Sequence, residues 1–257
     1  TMGAVAVTEQ AIINEAHERG MVVPDRKRAE EGDTQAAGAY VAYPKKGVHQ
    51  WIGSVDLNSL YPSVIRALNM ANETIVGQLR PIMTDKLIQD RMADKVVKGK
   101  KRKMKGSSFA AAWEGLFGTL EYSAVMERRK DTEITVDWSN GETSVHRADE
   151  LYDHIFHKDT NWCISANGTI FTYDKKGVVP GLLERWYAER KELQAQLKKA
   201  KEAGNDIEVA FWDKRQLVKK INLNSLYGAI LNPGCRFFDK RIGQSTTLTG
   251  RAIAQHM

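Results

Sequence analysis

Cysteine, proline and long apolar runs are all scarce in this sequence. Its 257 residues include two cysteines and six prolines. Cys163 and Cys235 form no CxxC pair, which favours reduced intracellular thiols over a disulfide or a metal site. No apolar run reaches the ~18–20 residues of a membrane span, and the N-terminus lacks the pattern of a secretory signal. We therefore expect a cytoplasmic protein without a membrane partner.

Positive charge is concentrated in one segment. The net charge is +6, but residues 86–105 alone carry nine Lys or Arg against two Asp. The rest of the chain is therefore close to neutral, and a basic pI alone does not indicate nucleic-acid binding. A DNA-gripping arm and a solvated loop explain residues 95–105 equally well. If residues 95–105 form a DNA-binding arm, its candidate DNA contacts are Lys98, Lys100, Lys101, Arg102 and Lys103.

The first part of the chain predicts a strand, a tight turn and a helix. A short amphipathic helix is expected over residues 9–20, and a short strand over residues 40–43. The mostly apolar residues 51–57 suit a buried strand, and Pro62 suits the first turn of a helix that ends near residue 68. This pattern predicts that Asp56 lies at the end of a strand.

The second part predicts two hairpins and two long helices. Turn residues at 138–141 and at 167–168 predict β-hairpins. One helix is expected from Pro180 to a stop at Gly204, and another from a cap at Asp206 to about Gly228. Because only two residues separate these helices, the sequence predicts an antiparallel helical hairpin.

Residues 56–63 read Asp-Leu-Asn-Ser-Leu-Tyr-Pro-Ser and combine a carboxylate with a helix N-terminus. Magnesium prefers carboxylate and phosphate oxygens, and amide groups at a helix start favour phosphate. Tyr61 adds a flat ring to the same turn. An isolated Asp56 would more simply be explained as an acceptor of backbone hydrogen bonds. The octet as a whole predicts a metal and nucleotide site.

Residues 220–228 form a second constellation on the predicted second helix. Lys220, Asn224 and Tyr227 are spaced i, i+4 and i+7, so they share one helix face. A cation there could contact phosphate and the ring could pack on a base, although a lone lysine on such a helix is usually only solvated. Arg190 and Lys220 both lie ~22 Å from the predicted hairpin turn, which would set the two cations level.

The octet resembles motif A of the family-B DNA polymerases, and residues 220–228 resemble motif B. Within that family, residues 38–41, 165–168 and 177–180 look like the replicative polymerases of T-even-type phages. The resemblance implies that Asp56 binds both catalytic metals and that Tyr61 packs under the sugar and excludes ribose. It further implies a metal contact through the Leu57 carbonyl, triphosphate contacts from Ser59, Leu60, Arg190 and Lys220, and a base-pair pocket shaped by Asn224 and Tyr227.

The resemblance also implies an α+β fold, with part of a palm sheet and an antiparallel two-helix fingers hairpin. The expected division is a connector (1–50), palm with motif A (51–79), an insertion with the basic run (80–150), palm (151–178), fingers (179–229) and the start of a return to the palm (230–257).

The implied function is DNA-directed DNA polymerase with two Mg²⁺ ions, a primer-template DNA and a dNTP, in the host cytoplasm if the gene is a phage gene. No Asp-x-Asp, the core of the family's motif C, occurs in the sequence. We therefore expect a piece of a longer or split polymerase, inactive without the portion carrying motif C. A non-catalytic nucleic-acid-binding module is the main alternative. An RNA-synthesising nucleotidyltransferase is disfavoured by Tyr61.

Overall fold

The computed structural model describes residues 3–25, 36–93, 107–157 and 159–257. These residues combine helices with one antiparallel sheet, which confirms the α+β class. None of the helices found there has the length and hydropathy that crossing a bilayer requires. The helices are α1 (Ala4–Glu18), α2 (Leu60–Ala67), α3 (Ile82–Ala93), α4 (Ser107–Ala112), α5 (Leu120–Met126), α6 (Ala148–Phe156), α7 (Val178–Glu202), α8 (Asp206–Ile230) and α9 (Lys240–His256). The strands are β1 (Ile75–Leu79), β2 (Glu133–Trp138), β3 (Thr143–Arg147), β4 (Trp162–Ile164) and β5 (Thr169–Thr172).

The sheet has the strand order β3-β2-β1-β5-β4, and every neighbouring pair is antiparallel. Both predicted hairpins are present, and the glycines of their turns, Gly141 and Gly168, have φ of 89° and 79°. Because a side chain is strained at such angles, these glycines fix where each chain reversal occurs. β2 and β3 fall within residues 80–150 and pair with β1, so this segment extends the sheet.

The two long helices form the predicted antiparallel hairpin. Gly204 has φ of 66° and ends the first helix, as expected. The N-cap of α8 is Asn205, whose side chain accepts from the Glu208 amide, so the prediction of Asp206 as cap was wrong by one residue. Both side chains can cap a helix, so composition did not distinguish them.

A core of buried side chains joins the base of the helical hairpin to α1, α2 and α9. Ile12, Ile65, Leu183 and Leu223 are all fully buried in it. The helix predicted over residues 9–20 is α1, which begins earlier, at Ala4. The start of α2 therefore rests on a well-packed base, next to α7, α8 and α9.

The strands predicted at residues 40–43 and 51–57 are absent. Both segments lack regular secondary structure, and Trp51 and Val55 are 99% and 78% exposed. Apolar alternation favours a strand only where a neighbouring strand supplies hydrogen bonds and a covering face. The sheet of the described residues does not reach this segment, so Asp56 does not follow a paired strand.

Candidate functional site

The turn before α2 adopts a strained backbone. Ser59 has φ of 53° and ψ of 53°, the left-handed region that costs a non-glycine residue about 1 kcal/mol. Its carbonyl accepts from the Ser63 amide at 2.9 Å, which closes the first helical turn. No side chain caps this helix. The first amide groups of α2 are therefore suited to an external anion such as phosphate.

Asp56 and Leu57 lie on the exposed, irregular segment that leads into this turn. Tyr61 is the fifth residue after Asp56, so their Cα atoms are at most ~18 Å apart. Leu57 and Leu60 line a cavity of about 350 Å³ together with Thr249 and Ile253 of α9. The Leu60 side chain approaches Gly250 of α9, so its backbone groups are the ones that could serve a ligand.

Tyr61 and Tyr227 bring the two sequence motifs together. Their ring centroids are 4.5 Å apart with an interplanar angle of 38°. Burial raises the pKa of the Tyr61 hydroxyl, and burial also raises the pKa of the Tyr227 hydroxyl strongly. Both phenols are therefore neutral at physiological pH. An aromatic contact of this kind contributes about 0.5–1.5 kcal/mol beyond the area it buries.

The face of α8 above this ring pair carries the other motif B residues. Lys220 and Asn224 are both exposed. With a rise of ~1.5 Å per residue, Asn224 lies ~4.5 Å and Lys220 ~10 Å along the helix from Tyr227. A ligand resting on Tyr61 and Tyr227 could therefore extend past an amide towards a cation.

Arg190 lies on α7, next to a contact that aligns the two long helices. The neighbouring residues Glu189 and Lys219 form an ion pair across the hairpin. This pair sets Arg190 and Lys220 at a similar height, as their spacing predicts. The buried Nε of Arg190 has no hydrogen-bond partner among the described residues, but the same holds for Arg66 and Arg251. The unpartnered Nε of Arg190 is able to donate to an anion. This property does not distinguish Arg190 from the other two arginines.

Gly250 of α9 is a part of the site that sequence reasoning missed, and the neighbouring Arg251 interacts electrostatically with the Tyr61 hydroxyl. A Cβ on Gly250 would lie 2.9 Å from Cε1 of Tyr61, so the ring needs a glycine here. Arg251 donates to the carbonyls of Trp113 and Gly38, at 2.7 and 3.3 Å. These contacts join residues that are more than a hundred positions apart in the sequence, so no local sequence pattern predicts them.

The described residues supply part of a metal site. They contain no group of three or more His, Cys, Asp or Glu placed to hold a metal ion. Asp56 offers one exposed carboxylate, and Mg²⁺ often takes one or two carboxylates together with substrate phosphates and waters. The residues present thus fit a partial ligand set. The predicted DNA contacts Lys98, Lys100, Lys101, Arg102 and Lys103 lie outside the described residues.

Comparisons with known proteins agree with the resemblance of the two motifs. The family model for DNA polymerase family B matches residues 1–257. A DNA polymerase of Trichoplusia ni ascovirus 2c is 23% identical, over 84% of this chain and 25% of that protein. The DNA-directed DNA polymerase of Enterobacteria phage T4 is 29% identical, over 85% of this chain and 23% of that protein.

A solved structure shares the fold. The family B DNA polymerase from the hyperthermophilic archaeon Pyrobaculum calidifontis superposes with a TM-score of 0.54 and 18% identity, over 99% of this chain and 23% of that one. The chain spans about a quarter of the length of the curated relatives it matches. The match over every residue, with the two motifs in contact through Tyr61 and Tyr227, shows that the chain belongs to DNA polymerase family B.

Proposed function

We propose that this chain contributes the nucleotide-binding side of a DNA-directed DNA polymerase, which adds dNTPs to a primer 3′-hydroxyl as a DNA template directs. The observation that carries the proposal is the contact between Tyr61 and Tyr227, whose rings lie 4.5 Å apart. This contact joins residues 56–63, which carry the Asp56 carboxylate and the free amides of α2, to residues 220–228, which carry the exposed side chains of Lys220 and Asn224. Such a surface suits a triphosphate, a sugar and a base in that spatial order.

Each of these residues has a distinct task in this proposal. The Asp56 carboxylate and the Leu57 carbonyl would hold Mg²⁺, which would neutralise the triphosphate and activate the primer hydroxyl. Backbone groups of Ser59 and Leu60 would lie along the phosphates. Tyr61 would pack under the sugar, where a ribose 2′-hydroxyl would clash with its ring. Charge on the transferred phosphate would be balanced by Arg190 and Lys220, while Asn224 and Tyr227 would shape the base-pair pocket.

A second metal-binding carboxylate is proposed to come from a part of the polymerase outside residues 1–257. The sequence has no Asp-x-Asp, and Asp56 alone is a weak site for two divalent ions. We therefore expect negligible primer extension from the purified chain by itself. Steady, template-dependent extension by this chain, lost in Asp56→Asn, would contradict the need for a second carboxylate.

Sugar selection tests the role of Tyr61. In the polymerase that contains this chain, Tyr61→Val should raise ribonucleotide incorporation relative to dNTP incorporation, because the smaller side chain leaves space at the 2′ position. Tyr173→Phe is a suitable control, since the Tyr173 hydroxyl donates to the carbonyl of Ala67, at the opposite end of α2 from Tyr61. Unchanged sugar selectivity in Tyr61→Val would exclude this role.

A non-catalytic nucleic-acid-binding module is the remaining alternative. It would need no metal ligand at position 56, and it would need no second carboxylate. Sequencing the DNA that follows this coding region distinguishes the two: a reading frame with Asp-Thr-Asp supports the enzyme, and a frame without a paired carboxylate supports the module.

A further inference from the structure

A second cavity lies away from the two motifs, between the sheet and α6. Its volume is about 710 Å³, and two indoles and two imidazoles line it. The rings of His154 and Trp162 are stacked at 5.2 Å, and Trp138 lies 5.7 Å from Trp162. His146 closes the group at 6.3 Å from both Trp138 and His154. The four rings thus form one continuous aromatic wall of the cavity, called the aromatic cage below, and the proposed polymerase chemistry does not use it.

Neighbouring residues hold the cage rings in place. The Trp138 indole N–H donates to the Ser144 hydroxyl at 2.7 Å, and that hydroxyl also bonds Nε2 of His146 at 2.7 Å. Gly77 is the cross-strand partner of Trp138, and a Cβ there would lie 2.9 Å from the indole ring. Because the Trp138 N–H is already satisfied, this indole offers a ligand its π face.

The charge around the cage determines which ligand suits it. Residues 131–157 hold seven Asp or Glu against one Arg, although the whole chain carries +6. Glu142 itself lines the cavity. Arg80 pairs with Asp137, and Arg147 pairs with Asp149 and Glu150, yet carboxylates still outnumber cations in this segment. The excess of negative charge disfavours a nucleic-acid backbone and with it a stacked DNA base. The Glu142 carboxylate and the aromatic rings beside it both favour a cation.

We propose that the aromatic cage binds the guanidinium group of an arginine side chain from a basic partner protein. A guanidinium is planar, stacks on aromatic faces and is more weakly hydrated than an ammonium ion. The same segment already contains such a contact, since the Arg128 guanidinium lies 4.0 Å from the ring centroid of Tyr152 on α6. This inference does not rest on the polymerase proposal, because it uses none of the residues of motifs A and B.

NMR titration of the chain with a short peptide whose termini are blocked, so that arginine carries its only charge, tests the site directly. Acetyl-Gly-Arg-Gly-amide should cause saturable shifts confined to the indole N–H and imidazole C–H signals of the cage. The matched peptide with citrulline in place of arginine keeps the shape but lacks the charge, so it should bind at least several-fold more weakly. Equal binding of the two peptides, or shifts spread over the whole acidic surface, would overturn the proposal.

Two pairs of variants locate the binding. Glu142→Gln should weaken the peptide about two- to fivefold, whereas Glu133→Gln removes the same charge outside the cavity and should have less effect. Trp162→Ala should abolish the confined shifts, and Trp51→Ala should not. Spermidine and a dT oligonucleotide serve as competitors. Displacement of the peptide by the oligonucleotide at equal charge concentration, or tighter binding of spermidine, would contradict an arginine site.

Discussion

Gly250→Ala should separate the packing of Tyr61 from the intrinsic stability of α9. The new Cβ would meet Tyr61 at 2.9 and 3.5 Å, and Tyr227 closes the opposite side at 4.5 Å between ring centroids. Carbon atoms prefer ~3.5–4.0 Å, so the ring must move by ~0.6–1 Å. Overpacking of this kind costs about 1–3 kcal/mol, while alanine favours the helix by about 1 kcal/mol. We expect a net loss of about 0–2 kcal/mol.

Gly228→Ala is the matched control, because a Cβ at that helical position meets nothing within 4 Å. It should stabilise the chain by about 0.5–1 kcal/mol. Urea unfolding followed by far-UV circular dichroism measures both variants, and they should differ by about 1–3 kcal/mol. If Gly250→Ala is as stable as Gly228→Ala, Tyr61 is not confined between α9 and Tyr227 as described.

Three further predictions concern stability and DNA binding. Burial raises the pKa of the Cys163 thiol to about 11. The neutral thiol is therefore favoured in the folded state, so ionisation of Cys163 should remove about 2–3 kcal/mol of stability as pH rises from ~9 to ~11. Cys163→Ala should reduce the loss measured by urea unfolding by that amount, leaving the part that the buried tyrosines contribute. Glu121→Gln should cost about 1–3 kcal/mol by thermal unfolding, since this buried carboxylate accepts from the Met83 amide and from the amide and hydroxyl of Thr84 in the first turn of α3. A change as small as that of the exposed Glu127→Gln would show that these hydrogen bonds do not stabilise the fold. Deleting residues 95–105 should reduce the salt dependence of DNA binding by ~0.9 in log–log slope for each lost phosphate contact, and an unchanged slope would exclude the arm.

Local signals predicted the turns and the helical hairpin well. Gly141, Gly168 and Gly204 all adopt positive φ at the chain reversals that the sequence indicates. A glycine in such a turn is required by the backbone of a few residues, so the sequence carries the information locally. The junction between the long helices followed for the same reason, since a glycine stop and a polar cap are set by a few neighbouring residues.

Features that depend on distant residues were beyond local reasoning. The segments 40–43 and 51–57 have strand-like composition, yet a strand forms only with a partner that composition does not reveal. In the same way, motif resemblance named Tyr61 and Tyr227 separately, but their contact and the glycine at position 250 depend on how α2, α8 and α9 pack. The boundaries of the palm, insertion and fingers remain predictions.

The most direct test of the account is primer extension by the polymerase that contains this chain, with Asp56→Asn compared with Asp174→Asn. Both changes remove one exposed carboxylate, but only Asp56 precedes the open amides of α2. If Asp56 holds catalytic metal, its loss removes several kcal/mol of transition-state stabilisation, or about 10³-fold in rate, while Asp174→Asn stays near wild type. An Asp56→Asn enzyme within about threefold of wild type would contradict the account.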